Sequence, residues 1–286
     1  MSTDGRASRR GPRPADPLVP FEEGLRQRFP SREDVLAEAR ALTERRRAKR
    51  PAAAVALVVA LLLGVVGVDP VWRTEDIRTA VGEQRRQALA DGSVLVLNTG
   101  STLHIEHRVR SRQFVLAAGE VSFQVAHGWR PFVVRAGEVS VRDIGTAFTV
   151  RRHDGGADVT VLDGAVEVLE PGPRSRVLAA GQAVRAVDAG PPHPLRAVDV
   201  ADAGAWREGR LVFDGTPLAA VLSEIARYRR APVVLDDPRA GQLRLSGAYD
   251  VAGLEALIDA LPQVLPVVVR RMADGTVHVA AAEKKS

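Results

Sequence analysis

The 286-residue chain has no cysteine, three lysines against thirty-seven arginines, and seven Phe, three Trp and two Tyr. Without cysteine there is no disulfide, no thiolate nucleophile and no cysteine metal site. The lack is compatible with an oxidising compartment. The six histidines make no ligand pattern. In His104-Ile105-Glu106-His107, a strand would place His104 and Glu106 on one face, two ligands where a structural zinc needs four, and His153-Asp154 reads as a turn. The serines lack a nucleophile-elbow motif. Asp91, Asp143, Asp163 and Asp214 stand at strand ends or before glycine, where a carboxylate caps local N–H groups. A paired-carboxylate hydrolase is therefore disfavoured, and neither a cofactor nor a metal is expected.

Long apolar runs are also missing, with one exception. Ala52 to Val68, AAAVALVVALLLGVVGV, passes seventeen residues without a charge, and ten of them are Val or Leu. A bilayer core needs about 17–25 helical residues, and the flanks help. Pro51 suits a first helical turn, Lys49 and Arg50 can snorkel to headgroups, and Trp72 suits an interface. A secretory signal would lie close to the N-terminus and carry a small-residue cleavage site. Here fifty residues precede the run and no such site follows. A buried core helix would normally show a polar face. The expectation is one transmembrane helix over residues 51–69.

Charge distribution orients it. Residues 1–50 hold thirteen Lys or Arg against eight Asp or Glu, while residues 51–286 hold twenty-seven of each, so the arm carries the whole +5. That excess suits the anionic cytoplasmic leaflet and gives no basic face for nucleic acid on the remainder. The positive-inside rule puts residues 1–50 in the cytoplasm and the rest outside.

Before the run, residues 1–20 are too poor in apolar residues to order. Ser31-Arg32-Glu33-Asp34 then has the form of a capping box, and Val35, Leu36, Ala39 and Leu42 share one helical face. A helix from about Arg32 to Arg47 could run on into the membrane helix past a kink at Pro51. Its apolar stripe is the candidate contact for a cytoplasmic partner.

After the run the period becomes two. Leu95-Leu97, Leu103-Ile105, Phe114-Leu116, Val121-Phe123-Val125, Val139-Val141, Phe148-Val150, Val159-Val161 and Val166-Val168 alternate with polar residues between Gly-containing turns. Short strands so spaced predict an all-β domain over 78–187, a sandwich, roll or barrel. Residues 188–205 read as a proline-stiffened linker. Residues 206–280 alternate strand and helix as two successive β-α-β units, a small α/β module with a closing hairpin over Ala273-Asp274-Gly275.

The chain resembles the FecR family of membrane-spanning regulators of extracytoplasmic-function sigma factors. The resemblance rests on Val81-Gly82-Glu83 with ALADGSVLVLNTGSTL, then FVLAAGEVSFQVA, RPFVV, DIGTAFTV, VTVLDGAVEV and LAAGQAV, in the expected order. Residues 206–280 are similar to the β-α-β-β-α-β signalling domain of secretins and TonB-dependent receptors. The resemblance implies an inner-membrane protein with a cytoplasmic N-terminus and a periplasmic C-terminus. It relays a signal from the signalling domain of a TonB-dependent outer-membrane receptor to a cytoplasmic sigma factor. It also implies self-cleavage at Gly145-Thr146, since some members are processed at that bond by an N-to-O acyl rearrangement. The family's cytoplasmic segment usually carries tryptophans that grip the sigma factor. None precedes Trp72 here, so Val35, Leu36, Ala39 and Leu42 stand in as the candidate sigma contact. An envelope-anchored ligand-binding or scaffold protein with no sigma partner is the alternative.

Overall fold

The computed structural model describes residues 31–282, with the backbone alone at 43–54, 61–63 and 65–66. The expected disorder at 1–20 and the last residues of the tail lie outside the described residues. The chain divides into two compact units, Met1–Gly67 and Val68–Ser286.

One helix, α1 (Arg32–Val68), runs through Pro51. Its start is the reciprocal cap the sequence predicts: the Asp34 N–H donates to Ser31 Oγ at 3.1 Å, and the Ser31 N–H donates to Asp34 Oδ2 at 3.2 Å. Glu33 and Asp34 also place negative charge at the positive end of the helix dipole. The spanning segment expected at 51–69 falls on α1 and the residue that ends it. Among the described residues no helix is long and apolar enough to cross a membrane. Beyond Val68 the chain turns sharply, because Asp69 sits in the left-handed region (φ 47°) and Pro70 cannot continue a helix.

Thirteen strands follow. They are β1 (Val71–Arg78), β2 (Arg85–Ala88), β3 (Val94–Leu97), β4 (Thr102–Arg108), β5 (Arg112–Ala118), β6 (Glu120–Gln124) and β7 (Phe132–Ala136). Then come β8 (Val139–Asp143), β9 (Ala147–His153), β10 (Gly156–Asp163), β11 (Ala165–Glu170), β12 (Arg174–Ala179) and β13 (Gln182–Val187). With β14 (Arg196–Ala197) they form two seven-stranded sheets, ordered β1-β4-β5-β7-β8-β11-β12 and β14-β13-β10-β9-β6-β3-β2. Every pairing is antiparallel except β5 with β7. The alternating apolar residues of both sheets meet in one core, which makes the domain a sandwich. At its centre Phe114 and Phe132 from one sheet pack edge-on against Phe123 from the other.

The sandwich begins earlier than the period suggests, since β1 starts at Val71 and is an edge strand with one buried side chain, Ile77. Residues 188–205, read as a linker, contain β14, paired to β13, and a short helix α2 (Val200–Gly204) capped by the Asp199 carboxylate.

The module continues with β15 (Arg210–Pro217), α3 (Leu218–Ala226), β16 (Val233–Leu235), α4 (Pro238–Gly241), β17 (Arg244–Asp250), α5 (Leu254–Val264), β18 (Val267–Arg271) and β19 (Val277–Ala281). The order is as expected, but the pairing is not that of two simple β-α-β units. β15 pairs antiparallel with β17, and β16 pairs parallel with β19, so each helix joins strands of different sheets. Asp214-Gly215 is a bulge within β15, and α3 begins after Pro217 with no side-chain cap. The apolar faces of α3 and α5 close over the strands in a second core.

Candidate functional site

Strand register gives the sandwich two ends. Val71 lies opposite Arg108, Arg112 opposite Phe132, and Val133 opposite Arg142. The start of β1, the β4–β5 turn, the 125–131 loop and the β8–β9 turn therefore share one end, where the chain enters from α1. The opposite end carries residues 79–84, 98–101 and 119–120, with Arg151 across from Glu120.

At that far end the LNTGS and AGE motifs interlock. Ser101 Oγ donates to the carbonyls of Asn98 (2.8 Å) and Glu120 (3.0 Å) and accepts from the Glu120 N–H (3.0 Å). Gly119 is required there on two counts, its φ of +83° and the Ser101 Cα only 2.5 Å from where a Cβ would stand. Asn98, fully buried, is thereby fixed with its amide aimed at the module. Its Nδ2 donates to Glu120 Oε2 (2.8 Å) and to the Tyr228 hydroxyl (2.9 Å). Arg227 Nη2 donates to the same Glu120 oxygen at 2.8 Å, and Arg151 Nη1 reaches Glu224 Oε2 at 2.8 Å. Gln84 Nε2 bridges Asn98 Oδ1 (3.0 Å) and the Trp206 carbonyl (2.9 Å).

Burial works against the charge on Arg227, but the Glu120 and Glu224 carboxylates more than offset it and raise its pKa above the ordinary range. Burial pushes the Tyr228 phenol up to about 12 against the hydrogen bond from Asn98. Removing one member of such a partly buried ion pair leaves the other charge without its partner and is destabilising, so this joint ties the module to the sandwich.

The entry end holds the Gly145-Thr146 candidate. Asp143 closes the β8–β9 turn: its Oδ2 accepts the Gly145 N–H at 3.0 Å, and its Oδ1 accepts the Thr146 hydroxyl. Gly145 has φ +100°, and Thr146 is buried. Gly164 lets its backbone come close to the pair, since a Cβ there would clash with the Gly145 carbonyl oxygen. The structure thus brings a hydroxyl, a left-handed peptide and a carboxylate together, and Asp143 is the member of this group that sequence reasoning treated only as a turn cap.

At the same end Asp69 clasps the β4–β5 turn, accepting from the Arg110 N–H and the Ser111 hydroxyl, both at 2.6 Å. Desolvation alone would raise its pKa, but these two bonds and the Arg108 and Arg110 charges hold the carboxyl below the usual range. His104 lies opposite Asp76 across β1 and β4, with Nδ1 2.6 Å from its carboxylate, and no group able to hold a metal is present among the described residues. Val35, Leu36, Ala39 and Leu42 are all exposed on α1.

Residues 75–167 match the family model described as FecR protein. These residues form a FecR domain. It runs from the middle of β1 into β11 and contains both motif clusters and the Asp143–Thr146 turn. Two crystal structures of a putative anti-sigma factor from Parabacteroides distasonis ATCC 8503 share the fold, each at 24% identity. One covers 74% of this chain and 100% of its own, with a TM-score of 0.63, and the other 73% and 100%, with a TM-score of 0.64. No curated protein matches the chain. The FecR domain thus supplies most of the sandwich, while the polar joint ties its motif residues to the module that follows.

Proposed function

We propose that the chain is a single-pass inner-membrane regulator of a cytoplasmic extracytoplasmic-function sigma factor. Residues 1–50 face the sigma factor, residues 51–69 cross the bilayer, and residues 70–286 stand in the periplasm. The module of residues 206–280 receives the signalling domain of a TonB-dependent outer-membrane receptor by strand addition at its open sheet edges. The FecR domain, the fold shared with the putative anti-sigma factor and the net positive charge confined to the arm support this reading.

The observation that carries it is the polar joint. It links the surface that would meet a periplasmic partner to the domain whose other end continues into α1. A relay needs two states with different partner affinities, and a joint made of a few charged hydrogen bonds can separate without unfolding either core. Affinity capture of the full-length chain with the sigma factors of its own genome tests it. Capture that is lost in Leu36→Asp/Leu42→Asp is expected. A chain that stays membrane-bound and captures none of them is an envelope scaffold instead.

The Asp143 geometry also favours self-processing. Thr146 Oγ attacks the Gly145 carbonyl carbon while its proton passes to Asp143. The C–N bond then breaks, the amine leaves with a proton, and water hydrolyses the resulting ester. Mass spectrometry should find fragments ending at Gly145 and starting at Thr146, absent in Thr146→Ala; an intact wild-type chain after long incubation removes the idea.

A further inference from the structure

A soluble domain normally scatters its exposed apolar residues singly, but here five of them gather at the entry end. Val71, Trp72, Val109, Trp129 and Ile144 are all exposed, with Trp129 at 83% and Trp72 at 67%. Strand order spreads them across the whole end rather than one corner: β1 and β7 are three strand spacings apart, about 14 Å. Arginines stand among them. The Arg130 guanidinium lies 5.8 Å over the Trp129 ring, and Arg73, Arg108 and Arg130, each next in sequence to one of these apolar residues, line one cleft together with Glu75, Asp91 and Glu106.

The acidic groups here each face a cation or a turn. Asp69 holds the β4–β5 turn, Glu106 pairs with Arg108 at 2.8 Å, Asp91 pairs with Arg112 at 2.7 Å, and the exposed Glu75 lies 3.8 Å from Arg73. The patch therefore presents two indole rings and, at Arg130, a guanidinium with no carboxylate partner among the described residues. That is the chemistry of a bilayer interface, where Trp settles at headgroup depth and Arg meets anionic lipid. Chain continuity selects this occupant. Asp69, bonded into the patch, follows directly on the seventeen-residue apolar run that ends at Val68.

We infer that the entry end of the sandwich is a lipid-contact surface that rests on the outer face of the membrane, with Trp72 and Trp129 at headgroup level. This rests on the anchored reading above. On it, the β domain is seated rather than tethered.

Tryptophan quenching in bilayers tests it on the full-length chain, because Trp206 is buried at the module end and serves as an internal blank. The chain is reconstituted in phosphatidylglycerol-containing bilayers with lipids brominated near the headgroup. Trp72→Phe, which keeps Trp129 and Trp206, should be quenched at least about twofold more strongly than Trp72→Phe/Trp129→Phe, which keeps Trp206 alone. The difference should shrink when phosphatidylcholine replaces the anionic lipid. Equal quenching in a chain that stays in the bilayer overturns the seat and leaves the anchor standing. A chain that does not stay in the bilayer overturns both. A Trp129 difference that vanishes on dilution to one chain per bilayer assigns the patch to a second copy and overturns the lipid seat.

Discussion

The two ends of the sandwich solve opposite problems with the same short loops. The module end takes its most polar residues out of water, burying Asn98 and Glu120 and half-burying Arg227 in a joint where each meets a partner. The entry end leaves its most apolar residues in water, Trp129 above all. A turn residue is therefore no guide to its medium; what decides is which surface the turn meets. Burial of a polar group is tolerated only when it is hydrogen-bonded. Exposure of an aromatic costs little in the folded monomer and gains value only against another phase.

Substitutions can break this contrast in graded steps. Arg227→Met should have the largest effect, about 3 kcal/mol, because it strands the Glu120 carboxylate with one neutral donor in a buried joint. Denaturant unfolding would show a lower midpoint, and loss of cooperativity between module and sandwich would sharpen the assignment. Tyr228→Phe should cost about 1 kcal/mol, the net worth of the hydrogen bond from Asn98. It also carries a pH signature. The folded phenol is pushed up to about 12, above the ordinary value near 10, so its contribution is intact below about pH 10. It should fade as pH rises towards about 12, and the Phe variant should lack that loss.

Asp69→Asn should cost less than about 1 kcal/mol, since solvent screens its partly exposed contacts. Its folded pKa lies below the unfolded value near 3.9, so the clasp contributes above that pH and is lost as pH falls through the folded value. Wild-type and variant melting curves should converge in acid. The smallest effect on stability belongs to Trp129→Ser, within about 0.5 kcal/mol, although membrane seating should weaken in the same variant.

Most of the β domain was legible in sequence because its core residues alternate strictly: every pair from Leu95-Leu97 to Val166-Val168 is buried in one cluster. The Ser31–Asp34 cap was equally plain. β1 and β2 escaped because VWRTEDIR and RRQA are polar edge strands with little to bury. The pairing of β15 with β17 was hidden because periodicity reports a local face and not the partner it meets. The joint was hidden for a related reason. Asn98 in an NTG turn and Glu120 after AAG look like solvent-facing loop residues, and their contacts lie 107 to 130 positions away in the chain. Asp143 was visible as a turn former, but its grip on the Thr146 hydroxyl depends on two sheets meeting at that turn.

The central claim is that the two ends of the chain face different compartments, with the FecR domain between membrane and periplasmic partner. The absence of cysteine makes a direct measurement straightforward. Single cysteines at Ala7 and Ser286 are each exposed to a membrane-impermeant maleimide in intact spheroplasts, and again after lysis. The account predicts that Ser286→Cys is labelled at once and Ala7→Cys only after lysis. Equal labelling of both before lysis, or of neither, would contradict it.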